Sequence, residues 1–477
     1  MPRACALLRQ AVKGMRPGRL VIAVMAALLL LTGALNIRSL VDGDDERTWN
    51  ADPAMPSAAD QLVGAPARAP SKLDGQILAL QDTLRDDPDN GPAATSLGQA
   101  YVQKARDTGD PSYYPKAEAL FAKGLETDSV DVSAMVGQGT VALARHRFAD
   151  ALDWGERARA GNPYHAAAYG VVGDAQIQLG RYPEAIATFQ AMVDLRPDLA
   201  SFSRVSYARE LMGDRSGAIA AMKRAADAGA SSPENVAWTQ AQLGNLYFDQ
   251  GDLAQAEHFY RSTQAVLPDY VDGLAGLGRV AAARGETDAA VTNYTAAIQR
   301  LPAPQFVIAL GDILMSAGRA DDAAQQYALV AAMQELYAAN GVDTDLEMAL
   351  FDADHARDLP RAVARARDGF ARQPSVTAAD ILSWALYQSG EYIAAREASE
   401  QAMRLGTRDA LMLFHAGMIE ARLGETASAV QYLQDALQLN PHFSVRFAEQ
   451  ARDVLRELGV ETPASQIGAP ERQGAAR

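Results

Sequence analysis

The sequence predicts an all-α protein whose body is an α-α superhelix, a right-handed solenoid of about ten helix hairpins, with one signal or transmembrane helix in front. Three regularities predict it. Ten alanines, Ala117, Ala151, Ala185, Ala218, Ala256, Ala290, Ala323, Ala362, Ala395 and Ala429, lie 33 or 34 residues apart in seven of nine gaps and 38 and 39 apart in the others. Twelve residues before nine of them is a position that is small in eight cases, Gly139, Gly173, Ser206, Gly244, Gly278, Gly311, Ser383 and Gly417, and Leu350 in the ninth. Punctuation keeps the same period: Gly180, Gly213, Gly251, Gly285, Gly318, Gly390 and Gly424 after the small position, then Pro163, Pro197, Pro268, Pro302, Pro374 and Pro441 after the alanine. Units of this length bury their apolar face only against their neighbours.

Each unit reads as helix, glycine turn, helix, proline stop. Glycine takes the left-handed conformation that ends the first helix, and proline, lacking an amide hydrogen, ends the second. A small residue in mid-helix lowers propensity but lets two helices approach closely. Large residues four after the alanine, Phe121, Phe189, Met222, Tyr260, Tyr294, Tyr327 and Leu433, fill the space between hairpins.

Along the chain, residues 1–19 carry Arg3, Arg9, Lys13, Arg16 and Arg19 and no acid. An apolar run from Leu20 to Leu35, extended by Ile37, makes 20–37 a signal-anchor or transmembrane segment, near the ~20 residues that a crossing needs. An uncleaved anchor is favoured over cleavage at Thr32-Gly33-Ala34, because the small-residue region is short. The positive-inside rule then puts the repeats on the extracytoplasmic side, periplasmic or cell-surface; a processed signal would export the chain. Residues 38–72, rich in Ala, Pro and Asp, read as a flexible linker, and 73–89 as the helix of an incomplete repeat. Ten units fill 90–442, the first with the insertion Asp110-Pro111-Ser112-Tyr113-Tyr114-Pro115. Ser444 opens a capping helix over 443–459, with Phe447, Ala451, Val454, Leu455 and Leu458 at helical spacing and Gly459 as its stop. Residues 460–477 read as a disordered tail.

Beyond the basic segment, 39 basic residues face 59 acidic ones, a net of −20. Such a surface repels nucleic acid and favours neutral or cationic partners. The single cysteine, Cys5, precedes the apolar run, so it is neither a lipoprotein cysteine nor half of a disulfide. No phosphate loop, zinc-protease helix, nucleophile elbow or dinucleotide loop occurs, so the chain reads as no enzyme, with no cofactor, no metal and no small-molecule substrate evident. Asp352, Asp354, His355 and His415 contain ligand types, but Asp352 and Asp354 are two apart and face different sides of a helix. They read as locally paired polar groups.

The lattice resembles the tetratricopeptide repeat, most fully in Leu243-Gly244, Tyr247, Ala256, Tyr260 and Pro268, then in Leu277-Gly278, Ala290, Tyr294, Ala297 and Pro302. The resemblance spans residues 90–442, departing at the first-unit insertion, the long fourth and seventh units, and Leu350. Its general likeness is to bacterial membrane-anchored or exported repeat proteins. It implies that the first helix of each unit lines a concave face. The inward register selects Asp174, Gln178, Arg279, Asp312, Gln388 and Arg422, together with two clusters: Tyr207, Glu210, Asn245, Phe248 and Asp249, and Phe351, Asp354, His355, Trp384 and Tyr387. Aromatics beside carboxylates suit an extended peptide with apolar and basic side chains, although about half of the rings are expected to pack between helices instead. The carboxylate clamp known in the family needs paired Asn and Lys; only Asn245 fits, so that mode is set aside. The expected function is a membrane-anchored extracytoplasmic scaffold or adaptor binding protein or peptide partners in its groove. The alternative is an accessory of polysaccharide secretion or envelope assembly, binding glycan or its synthesis machinery.

Overall fold

The structure, a computed structural model, describes residues 71–460 of the 477-residue chain. The basic segment, the apolar run, most of the linker and the tail lie outside the described residues. Within them are 22 α-helices and no strand. The first helix, Lys72–Asp86, starts a residue early because Ser71 caps it. The Ser71 hydroxyl accepts the Asp74 amide at 3.2 Å while the Asp74 carboxylate accepts the Ser71 amide at 2.9 Å.

Ten antiparallel hairpins follow. Their first helices are Gly91–Thr108, Val132–Ala144, Ala166–Gln178, Leu199–Leu211, Pro233–Phe248, Val271–Ala283, Pro304–Ser316, Asp345–Asp354, Val376–Gln388 and Ala410–Arg422. Their second helices are Tyr113–Thr127, Phe148–Gly161, Tyr182–Leu195, Arg215–Gly229, Leu253–Val266, Thr287–Arg300, Ala320–Ala339, Leu359–Arg372, Tyr392–Met403 and Thr426–Leu439. The long seventh unit lengthens its second helix to 20 residues. A last helix, Ala448–Glu457, begins later than the expected cap, because Ser444 is spent on a turn, accepting the amides of Arg446 and Phe447.

All ten periodic alanines are fully buried. The reason is a shared slot. A Cβ on Gly98 would lie 2.7 Å from the Phe121 ring, one on Gly278 2.7 Å from Tyr294, and one on Gly311 2.5 Å from Tyr327. Tyr260 fills such a slot from both sides, meeting Gly244 of its own unit and Gly276 of the next. Where serine replaces glycine, its hydroxyl is satisfied: Ser206 donates to the Ala218 carbonyl at 2.8 Å. Unit eight inverts the size pattern, with Leu350 packed on the cluster that contains the small Ala366.

The turn glycines between paired helices have φ from 70° to 85° in Gly180, Gly213, Gly251, Gly285, Gly318, Gly390 and Gly424. In unit two His146 holds that place at φ 58°. Residues before the stop prolines are extended, as in Asn162 (φ −146°, ψ 96°) and Asn440 (φ −152°, ψ 104°), where the proline ring excludes the helical region.

A feature with no sequence signal is the stacking of one superhelical turn on the next. The turn between the paired helices of each of the first five units meets the loop that follows the second helix five units later. Gly109 approaches Leu301 and Pro302. His146 Nδ1 lies 2.7 Å from the Asp343 carbonyl, and the Val376 amide donates to the Tyr182 hydroxyl at 2.7 Å. Thr407 Oγ1 donates to the Leu211 carbonyl at 2.6 Å, and Asn440 Nδ2 to that of Phe248 at 2.9 Å. The offset of 192 to 197 residues holds throughout these hydrogen bonds.

Two substitutions separate turn strain from seam packing. A Cβ on Gly213 would lie 2.6 Å from the Gly406 carbonyl oxygen, whereas one on Gly390 meets open space. Gly390→Ala should cost about 1–2 kcal/mol of left-handed strain, and Gly213→Ala about 1–3 kcal/mol more from overpacking. Denaturant midpoints measure both; equal losses would mean that the turns do not touch.

Candidate functional site

The first helices of units three, four and five wall a concave cavity of about 360 Å³. Asp174, Arg204, Tyr207, Glu210, Trp238 and Asn245 are among its lining residues. Arg204 donates to both Asp174 oxygens, at 2.9 and 2.7 Å, and Arg279 donates to Asp249 at 2.8 Å while covering the Phe248 ring at 3.9 Å. Both pairs are 30 residues apart, one helical turn short of the repeat, which is the reach between neighbouring first helices. Asn245 accepts from the Tyr260 hydroxyl at 2.7 Å, so it is a positioned wall group. Tyr207 is 41% exposed to the cavity.

Glu210 stands apart. Its carboxylate has no hydrogen bond or ion pair among the described residues, unlike Asp174 and Asp249. Burial pushes it up to about 7, and the charges of Asp249 and Asp409 add to the rise, with Arg215 opposing. Burial and Glu210 together push the Tyr207 hydroxyl up to about 12.

The second expected cluster is a correction. Phe351 (4% exposed), Trp384 (0%) and Tyr387 (8%) are core rings, and so is Phe248 (2%) of the first cluster. Trp384 stacks on Tyr387 at 4.9 Å and on His415 at 4.2 Å, and Phe447 from the C-terminal segment closes over it at 5.5 Å. Asp354 accepts the Trp384 indole N–H at 2.8 Å, and burial pushes its carboxyl up to about 6. His355 Nε2 lies 2.9 Å from Asp312, which also accepts from Tyr327. Arg446 reaches the same inner wall, donating to the Asp354 carbonyl at 2.6 Å. The wall here is a closed polar and aromatic core, because the C-terminal segment packs where an eleventh first helix would lie. Asp352 turns instead to Arg365 at 3.3 Å. No group of three or more potential metal ligands occurs among the described residues.

Of the residues expected there, Tyr207, Glu210 and Asn245 line the cavity, while Asp249 pairs with Arg279; Arg204 and Trp238, which also line it, were not expected. Their signal was weak: Arg204 lies two residues before a small position, outside the inward register, and Trp238 lies six before one.

Tetratricopeptide repeat matches cover residues 105–166, 142–208, 241–299, 275–340 and 382–442, and the chain belongs to the tetratricopeptide repeat family. Proteins of this family are in general interaction scaffolds, and the fold is typically non-enzymatic. No curated protein matches the chain. Among solved structures, the APC/C hetero-tetramer Cut9–Hcn1 is 14% identical over 84% of this chain and 98% of that one, with a TM-score of 0.37. TTC0263, a thermophilic TPR protein of Thermus thermophilus, is 21% identical over 38% and 94%, with a TM-score of 0.34. YrrB, described as a TPR protein with an unusual peptide-binding site, is 16% identical over 41% and 96%, with a TM-score of 0.26.

Burial separates the two clusters experimentally. Trp384→Ala should cost about 3–5 kcal/mol as a core truncation, and Tyr207→Ala about 0.5 kcal/mol or less as a surface change, read from chemical denaturation. Similar losses for both would place Tyr207 in the core.

Proposed function

We propose that this chain is a membrane-anchored, extracytoplasmic scaffold that holds an extended peptide segment in the inner groove of units three to five, with a basic side chain of the peptide on Glu210. The observation that carries the reading is the unpaired Glu210 beside the exposed Tyr207 ring in a cavity of about 360 Å³. Two other inner-wall acids of that region have cations of their own: Asp174 has Arg204 and Asp249 has Arg279. A guanidinium or ammonium there would gain a charge-assisted hydrogen bond and an aromatic face together. The membrane part of the proposal rests on the basic residues before the apolar run at Leu20–Leu35. Among the described residues, no helix is long and apolar enough to cross a membrane. The glycan alternative loses its main support, since most of the rings that would stack on sugars are buried.

Protonation sets the sign of the pH dependence. A carboxyl raised to about 7 keeps a proton that the unfolded chain gives up near the ordinary glutamate value of 4.5. Stability from Glu210 is therefore lost as pH rises through that window, while affinity for a cation grows as the group ionises. An arginine- and tyrosine-containing peptide array, probed with the detergent-solubilised chain, should give hits that bind more tightly at pH 8 than at pH 6 and more weakly as salt rises. Glu210→Gln should remove about tenfold in affinity, flatten the pH profile, and stabilise the free protein more at pH 8 than at pH 5. Binding that is unchanged in Glu210→Gln would overturn the site. Protease access in right-side-out vesicles tests the location, and a protected repeat region would overturn it.

A further inference from the structure

Resting on that groove reading, we infer that the groove admits its partner end-on, as an unfolded segment sliding along the superhelical axis, because the stacked turns shut the route from the side. The two superhelical turns touch at each of the five hairpin turns. At Gly180 a Cβ would lie 2.5 Å from the Pro374 carbonyl oxygen, and at Gly213 2.6 Å from that of Gly406. At these points the loops leave no room for a methyl group, and so none for a peptide. The seam also runs beside the cavity. Leu211, whose carbonyl receives the Thr407 hydroxyl, follows Glu210 directly. Asp409, two residues beyond Thr407, is one of the charges that act on Glu210. The start of unit ten, far along the chain, therefore lies near enough to the site for its charge to act there. Yet Tyr207 is 41% exposed, so the space behind the seam is wet. A folded domain has no edge to insert there, whereas an extended chain has a narrow free end. The seam is held by a few polar bonds at each turn, each modest in water, and by small apolar contacts such as Val376 against Tyr182 and Ile177.

The test needs no known ligand. In full-length Cys5→Ser protein, a single cysteine is placed at Tyr207→Cys, with Tyr164→Cys, at an 82% exposed position, as the control. Three probes are compared: N-ethylmaleimide, a linear polyethylene glycol maleimide, and a maleimide carried on a small folded domain. The small and linear probes should label position 207 readily. The domain-borne probe should react about tenfold or more slowly there than at 164, as expected when reaction waits on local opening. Thr407→Arg, a wedge in the seam, should restore the domain-borne rate. Because the wedge risks unfolding, the milder Tyr182→Phe with Thr407→Val should restore it partly at unchanged helical content. Equal domain-borne rates at both positions, or slow labelling that neither seam variant relieves, would overturn the inference while leaving the groove itself intact. Failure of N-ethylmaleimide at 207 would instead remove the wet cavity, and with it the functional proposal.

Discussion

The contact on which the rest depends is a large side chain seated in a slot made by residues without side chains. Tyr260 occupies the space left by Gly244 on one helix and by Gly276 on the next unit's helix. Phe121 is held in the same manner by Gly98 and Gly137. Each ring therefore joins its own hairpin to the following one. No unit completes its core alone, and stability becomes a sum of neighbour terms along the array. The fully buried alanines are the other side of this constraint: at the closest crossing of two helices, a methyl group is the largest tolerated shape.

Close helix approach has an electrostatic consequence. The first helices come near enough that an acid on one meets a residue 30 positions later on the next, as in Asp174 with Arg204, Asp249 with Arg279 and Asp354 with the Trp384 indole. Two of these rungs are ion pairs, and at the third a neutral indole N–H satisfies the carboxylate. Glu210 breaks the sequence of pairs because its neighbours, Asp249 and Asp409, are also acids. Glu210 is thus an inward acid without an ion pair among the described residues, beside two further carboxylates.

The regular part of the fold was legible because it is local. The spacing of Gly180, Ala185, Phe189 and Pro197 states where helices stop and which faces touch, and neighbour packing needs nothing more. His146 marks the limit of that legibility. It stands in a glycine position at φ 58°, and its ring is turned to the Asp343 carbonyl of the next superhelical turn. Nothing at His146 or Asp343 in the sequence announces the pairing.

By itself, the sequence determined the repeat, the hairpin, the slot and the inward register that Tyr207, Glu210 and Asn245 share at the cavity. Tertiary structure decided which inward positions stay open. Phe351, Trp384 and Tyr387 share the register of the exposed residues but are buried: Phe447 of the C-terminal segment closes on Trp384, Tyr327 and His355 pack on Phe351, and Tyr392 packs on Tyr387. It also decided that turns stack at an offset of about 195 residues, bringing Thr407 to Leu211. The physical reason is that superhelical pitch accumulates from small rotations at every hairpin junction. No single residue encodes it, and a contact between units far apart in the chain appears only once those rotations have been summed.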